Sequence, residues 1–484
     1  MSRGRRHGIW VRLGLCGVLA ALAGCRGAPP PDPVDPVGAA VDRYLTARTE
    51  LGRWNGAVLV AKAGRVVLRK GYGFADVARR EPYRPETQHE VASVSKMFTA
   101  LAALKLKGAG KLALDDSVCR YIDGCPDAWR PVTLNHLIHH ESGIPDYEAR
   151  LELGSEKYFE LMAPPGAAAK ILADAKTRPL EFVPGEKFNY SNTGYVVLAH
   201  ALERASGMPF PELVAQLILE PAGMRDSGVL GVGARPPRLA TGYTSADLGW
   251  TKLLHGVSLT DGQLTPVRPL ALTPPEGDAW LYSTVDDLLT FSRLMEGSEL
   301  IPPALVGEIE TAGKDGYGAG WFIAKAFDRR RARHNGMLPG YLTDFIRFPD
   351  EKTTIILVSN YDRVRIDRVA RDVSAIVCGM PFDMPVQGNV IELSADQIAK
   401  LAGDYVMADA TPLNIRKEPD YLTAELKGHY TAGLIPLSPT EMYFPLGDGK
   451  AIFTLGPDGH ATKVNMRYGG EDHVATKGTL PISQ

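Results

Sequence analysis

The sequence predicts an α+β fold: an antiparallel sheet flanked by helices and carrying a helical lobe, followed by a small all-β, barrel-like domain. Three observations lead there. Strand-like runs lie on both sides of a long helical stretch, an amphipathic helix closes the second group of strands, and beyond Pro381 the pattern changes to short alternating segments separated by Gly, Pro and Asp turns. A chain of 484 residues exceeds what one hydrophobic core usually organises, so more than one domain is expected.

The elements follow in order. Val41, Tyr44 and Leu45 share helical spacing and open a first helix, and two apolar runs at 56–60 and 66–71, joined at Ala63-Gly64, read as a hairpin. Over 95–106, Phe98, Leu101, Ala102 and Leu104 keep helical periodicity, with Gly108 as the expected stop. Residues 112–294 carry mainly helical patterns broken by Pro and Gly, such as 195–205 before Ser206-Gly207 and 285–295 before Gly297. Strand signals return at 320–323, 342–348 and 353–358, the last two joined by a Pro349-Asp350 turn. Ile366, Val369, Ala370, Val373 and Val377 then line one face of a closing helix, and Gly379 follows it. The distal segments 421–426, 441–445 and 451–455 alternate as strands do, beyond a boundary at 386–388. The expected division is 1–25, 26–38, 39–385 and 389–484.

Composition excludes some functions. A hydrophobic fraction of 45% and a charged fraction of 23% are those of an ordinary folded protein. Lys plus Arg total 54 against 56 Asp plus Glu, a net charge of -2, which gives no long-range field for nucleic acid, so no nucleic-acid partner is expected. There is no His-Glu-x-x-His and no Cys or His cluster at metal spacing, so neither a metal nor another cofactor is expected.

The N-terminus speaks of export. Arg3, Arg5 and Arg6 precede an apolar stretch over 13–23 that is shorter than the roughly 20 residues a membrane span needs, which is signal-peptide organisation for residues 1–25. Leu22-Ala23-Gly24-Cys25 resembles the lipobox of bacterial lipoproteins, which implies that Cys25 is acylated and becomes the mature N-terminus. Arg26 after it, in place of an Asp, implies the periplasmic face of a Gram-negative outer membrane, reached through the lipid anchor. The alternative is an ordinary secretory signal with a chance Cys; both place the protein outside the cytosol. Residues 26–38, with Pro29, Pro30, Pro31, Pro33 and Pro36, read as a stiff tether. Cys119 and Cys125 are close enough to close a small loop in an oxidising compartment, with two reduced thiols as the alternative, since spacing does not fix geometry.

Three short motifs carry chemistry. Ser93-Val94-Ser95-Lys96 is the only Ser-x-x-Lys in the chain, and on a helix it sets an amine one turn from a hydroxyl nucleophile. The N-terminal end of the 95–106 helix would also point amides at the Ser93 Oγ. Tyr190-Ser191-Asn192 is the only Tyr-x-Asn; a phenol beside an ammonium loses proton affinity and shuttles protons to a leaving group, and an Asn amide holds a substrate carbonyl. His334-Asn335-Gly336 is the only His-x-Gly, on a strand just before Pro339-Gly340. Gly336 lets a ligand approach the backbone there, and the amide of Met337 pairs with that of Ser93 as an oxyanion hole. An unperturbed His334, with a pKa near about 6.5, would hold a substrate carboxylate in a pH-dependent way between pH 6 and 8. Each motif alone also has a bland reading, as a cap, a surface Lys or a core aromatic.

Taken together and in this order, the motifs resemble those of the class C β-lactamase and D-alanyl-D-alanine carboxypeptidase family of serine hydrolases, which also holds D-aminopeptidases and esterases. The resemblance covers roughly 41–379 and extends to His140-Glu141-Ser142-Gly143-Ile144-Pro145, to Leu281-Tyr282-Ser283-Thr284 and to 337–341. It implies the β-lactamase/transpeptidase-like fold and an acyl-enzyme route in which Ser93 attacks, Lys96 and Tyr190 move protons, and Asn192 with His334, Asn335 and Gly336 orients substrate. The distal segment is similar to a lipocalin-like barrel. The β-lactamases of this class carry Lys-Thr-Gly where this chain has His334-Asn335-Gly336, which implies a peptidase-like or esterase-like member acting on a small-molecule or peptide substrate, peptidoglycan stems included. Trp280 stands where many relatives have small residues and is expected in the core. Two alternatives stay open: a weak β-lactamase, and a catalytically silent surface lipoprotein that binds without turnover. An α/β-hydrolase is disfavoured because the sequence has no Gly-x-Ser-x-Gly.

Overall fold

The computed structural model describes residues 35–478 apart from 152, 163–165, 231–234, 246–263, 268–276, 363, 387, 389, 419–420, 427–430 and 446–447. The signal peptide with Cys25, and most of the tether, lie outside the described residues. Helix α1 (Pro36–Glu50) begins before the tether's expected end at residue 38. Its start is local chemistry: the Asp35 carboxylate accepts from the amides of Val37 and Gly38, and Pro36 takes the first helical position, where a missing N–H leaves no bond unmade.

Strands β1 (Gly56–Lys62) and β2 (Arg65–Tyr72) form the hairpin, turning through Ala63 at φ 49° and Gly64 at φ 76°. Two positive-φ residues match the twist of the flanking strands. With β3 (Phe322–Ala326), β4 (Arg329–Leu338), β5 (Tyr341–Phe348) and β6 (Thr353–Ser359) they make a six-stranded antiparallel sheet in the order β3-β4-β5-β6-β1-β2.

The sheet is covered on both faces, and β1 shows how. Val58 and Val60 join the core of α1 and of α5 (Ile366–Cys378), with Val41, Leu45, Val369 and Val373. Ala57, Leu59 and Ala61 join the opposite core, with Phe98 and Leu101 of α2 (Ser95–Gly108) and Phe291 of α4 (Val285–Leu294). The period-two alternation of a strand therefore splits one continuous apolar run between two cores. Helix α2 includes Gly108, the expected stop, because the amide of Ala109 still bonds back to Lys105. The lobe between α2 and α4 contains α3 (Asn192–Ser206), ended by Gly207 at φ 74°, and a disulfide between Cys119 and Cys125.

Eight distal strands close into a barrel, the first pairing with the last at Tyr405 and Lys477. Buried Leu413, Ile415, Leu434, Met442, Phe453 and Met466 belong to its core, together with Ile398 and Leu401 of the preceding helix. The barrel is fastened to α1 by a buried pair, Arg48 with Asp448, to which the Tyr443 hydroxyl also donates at 2.7 Å. Arg371 of α5 adds a bond to the Gly469 carbonyl at 2.6 Å. No helix among the described residues is long and apolar enough to cross a membrane.

Candidate active site

Ser93 sits in a single 3₁₀ turn, Ala92–Val94, that runs directly into α2. Ala92 has φ 51°, a left-handed conformation costing a Cβ-bearing residue on the order of 1–2 kcal/mol, which the surrounding packing must impose. One turn on, Lys96 is wholly buried and its Nζ donates to Ser93 Oγ at 3.2 Å. The same amine donates to Asn192 Oδ1 and to the Asp278 carbonyl, each at 2.7 Å. Neighbouring side chains hold the far partner still: Thr99 Oγ1 donates to the Gly277 carbonyl at 2.6 Å, and Ser95 Oγ accepts from the Leu281 amide at 3.0 Å.

Tyr190 lies immediately before α3, its ring centroid 4.9 Å from Lys96 Nζ. Burial pushes its phenol above the ordinary range, and its hydrogen bonds to Lys96 and Ser93 oppose that shift without overcoming it. The expectation that the ammonium lowers this phenol is thus corrected, because desolvation is the larger effect. Tyr190 rests as a phenol.

Asn192 also departs from expectation. Its Oδ1 takes Lys96 while its Nδ2 donates to Glu148 Oε2 at 2.9 Å and Asp146 Oδ2 at 3.3 Å. With both ends engaged it clamps Lys96, and the substrate carbonyl expected on its amide would have to displace a carboxylate. Asp146 in turn caps α3, accepting from the amides of Asn192 at 2.8 Å and Thr193 at 3.2 Å.

The His334 to Met337 segment lies on β4 beside the Ser93 turn, with two corrections. Gly336 is needed for protein packing and not for ligand approach: a Cβ there would lie 2.4 Å from the Val91 carbonyl and 3.0 Å from the Ser93 amide nitrogen. This brings the β4 backbone against the Ser93 amide, the arrangement a two-amide oxyanion hole requires. His334 is 1% exposed, its Nε2 is 3.1 Å from the Tyr317 hydroxyl, and its Nδ1 is 2.7 Å from the Asn335 carbonyl. Burial, with Lys96 nearby, pushes its pKa down to about 3, so it stays neutral where a pH-dependent grip on a carboxylate was expected. Asn335 and Met337 alternate to the open side, Met337 being 56% exposed.

Sequence reasoning missed the surround. The ring of His140, itself at φ 56°, lies 4.2 Å from Tyr190 and 4.7 Å from Tyr317, and its Nδ1 accepts from the Ser191 amide at 3.0 Å. Asp146 and Glu148 follow the His140–Pro145 stretch directly, a signal that was available. Asp278 and Tyr317 carried none. Trp280 is buried, as a core residue would be.

Comparison with known proteins agrees with this geometry. The Beta-lactamase family profile matches residues 41–377, which take in Ser93, Lys96, Tyr190 and His334. Penicillin-binding protein 4* of Bacillus subtilis (strain 168) is 28% identical over 447 residues, 88% of this chain and 96% of that protein. A D-aminopeptidase of Gluconobacter oxydans (strain 621H) is 28% identical over 381 residues, 75% of this chain but 65% of that longer protein. Among solved structures, the octameric penicillin-binding protein homologue from Pyrococcus abyssi superposes with a TM-score of 0.63 at 24% identity, covering 90% of this chain and 99% of that one, a likeness of fold. With a serine turn, a buried lysine and a glycine-bearing strand set in this sheet, and with the family match spanning residues 41–377, the chain belongs to the beta-lactamase family.

Proposed function

We propose that the chain is a serine hydrolase that cleaves an amide or ester through an acyl-enzyme on Ser93. The observation that carries this is the Lys96 Nζ held 3.2 Å from Ser93 Oγ by two further bonds. As the Oγ–C bond forms, the Tyr190 phenol, held in place by Lys96, takes the Oγ proton on its oxygen while its own proton passes to the leaving nitrogen or oxygen and that bond breaks. Water then cleaves the ester by the same path. The amides of Ser93 and Met337 receive the oxyanion, a reading supported by the tight packing of Gly336 on the Ser93 turn.

Substrate class follows in part from His334. A buried neutral imidazole supplies no fixed cation for the carboxylate of a β-lactam, which favours amide or ester turnover over β-lactam destruction. A turnover panel of D-amino-acid amides, D-Ala-D-Ala peptides, short p-nitrophenyl esters and nitrocefin tests the reading. Turnover of an amide or ester above nitrocefin is expected. No turnover, and no labelling by a fluorescent penicillin or a fluorophosphonate, would instead make the chain a silent binding module.

The lipobox-like Leu22-Ala23-Gly24-Cys25 supports export and anchoring at the periplasmic face of an outer membrane, where stem peptides of peptidoglycan are within reach. Cys25→Ser is expected to leave the membrane fraction or remain unprocessed; unchanged detergent-dependent association would refute the anchor. The distal barrel has an apolar core and supplies none of the residues grouped around Ser93, which supports a supporting role for it.

A further inference from the structure

One residue grips the chain on both sides of Tyr190. The His140 carbonyl accepts from the Asn189 amide at 2.8 Å, and the His140 Nδ1 accepts from the Ser191 amide at 3.0 Å. The imidazole also lies 4.2 Å from the Tyr190 ring, centroid to centroid, with 31° between the planes. The grip is itself pinned, because the carbonyls of Glu141 and Gly143 accept from the amides of Gly185 and Glu181, each at 2.8 Å. Residues 140–143 are thereby tied along the run that ends at Tyr190, and the Ser191 hydroxyl then caps α3.

Two features of His140 work against stability. It holds φ 56°, in the left-handed region, and it is 1% exposed while its Nε2 has no hydrogen-bond partner among the described residues. Because Nδ1 accepts, Nε2 carries the proton of the neutral ring, and burial, with Lys96 and His334 nearby, disfavours a second proton. A buried donor without an acceptor and a strained backbone both cost free energy, and such costs persist where the surrounding structure imposes the geometry they bring. A leucine or a phenylalanine would fill the space without a stranded N–H. Neither supplies an acceptor for the Ser191 amide, so that bond is the reason for an imidazole here.

We propose that His140 is a positioning residue for Tyr190: its bonds to the amides before and after that residue hold the phenol oxygen where it receives the Ser93 proton and passes its own to the leaving group. The inference rests on the Tyr190 proton route of the proposed function. It gives His140 no contact with substrate and no proton to transfer. Its effect is therefore confined to steps in which the phenol must be in place, and that confinement separates positioning from a general contribution to folding.

Two esters with one acyl group test this. Ethanol must be protonated as it leaves ethyl propionate, whereas p-nitrophenolate departs from p-nitrophenyl propionate as the anion, so a displaced phenol slows the first far more than the second. A loss of folded protein lowers both alike. In His140→Leu, which keeps bulk but lacks the acceptor, kcat/KM is expected to fall at least a hundred-fold for the ethyl ester and ten-fold or less for the p-nitrophenyl ester. His140→Asn places its Oδ1 where Nδ1 stood and tolerates the left-handed backbone, so it should return the ratio of the two esters to within three-fold of the unmodified chain. Should His140→Leu fail to fold, His140→Phe, a ring without the acceptor, is read by the same ratio. Tyr190→Phe, measured alongside, should shift that ratio in the same direction. Equal losses for both esters in His140→Leu beside a selective loss in Tyr190→Phe, or no recovery in His140→Asn, would overturn the proposal. Equal losses in Tyr190→Phe would instead refute the phenol's route itself, and the role of His140 with it.

Discussion

Lys96 Nζ stands 3.2 Å from Ser93 Oγ while Asn192 Oδ1 and the Asp278 carbonyl each accept from it at 2.7 Å. The amine cannot swing from the serine without breaking two shorter bonds. Lys96→Ala should therefore lower the acylation rate of a small ester by about a thousand-fold or more, because members of such a unit act together. Stopped-flow release of p-nitrophenol measures it, and a loss under ten-fold would separate Lys96 from the proposed mechanism.

Gly336 tests the packing of β4 on the nucleophile turn. Its missing Cβ would meet the Val91 carbonyl at 2.4 Å, a backbone atom that cannot rotate away. Gly336→Ala should cost about 1–3 kcal/mol of stability and displace the Ser93 amide, so acylation should fall far more than folding. Urea denaturation with acylation rates on the same sample reads both. A variant with wild-type acylation would place the oxyanion site elsewhere.

His334 makes a prediction about acid. Its pKa is about 3 in the folded chain and near 6.5 when unfolded, so the unfolded state binds the extra proton between those values. The stability held by the neutral imidazole is whole above about pH 6.5 and is lost as pH falls, amounting to about 2 kcal/mol at pH 5. The stability gap between wild type and His334→Gln should narrow by that amount from pH 7 to pH 5. A constant gap would mean that His334 carries its charge while folded.

Asp448 joins the barrel to α1 through Arg48, both side chains being nearly inaccessible. Removing one partner strands a buried charge, so Asp448→Ala should cost about 3–5 kcal/mol, and Arg48→Ala with Asp448→Ala together should cost less than either alone. Thermal denaturation of the three variants gives the comparison. Acylation of a small ester should stay within a few-fold throughout, and its loss in a folded Asp448→Ala would give the barrel a part in the site.

What the sequence makes legible follows from where each signal lives. Helix α5 is plain because Ile366, Val369, Ala370, Val373 and Val377 share one face, whereas only the His334 to Gly336 end of β4 is readable as a strand, its first half being obscured by Arg329, Arg330, Arg331 and Arg333 around the buried Ala332. Other barrel strands escape notice because Ala432, Ala461 and Ala475 fill interior positions in three of them with little apolar contrast. At the site, Ser93, Lys96, Tyr190 and the His334 to Gly336 run sit at short fixed spacings and are readable. Asp278 reaches Lys96 across 182 residues, a contact that only the folded chain creates. Burial is likewise invisible in a sequence, which is why the ionisation states of Tyr190 and His334 were misjudged while their positions were found.

The central claim is that Ser93 becomes covalently acylated. Intact-mass spectrometry after treatment with a fluorophosphonate or a slowly turned-over ester, followed by peptide mapping, measures this directly. One adduct per chain is expected, on the peptide containing Ser93, and none in Ser93→Ala. An adduct of equal yield in folded Ser93→Ala, or one mapped to another residue in the unmodified chain, would contradict the account.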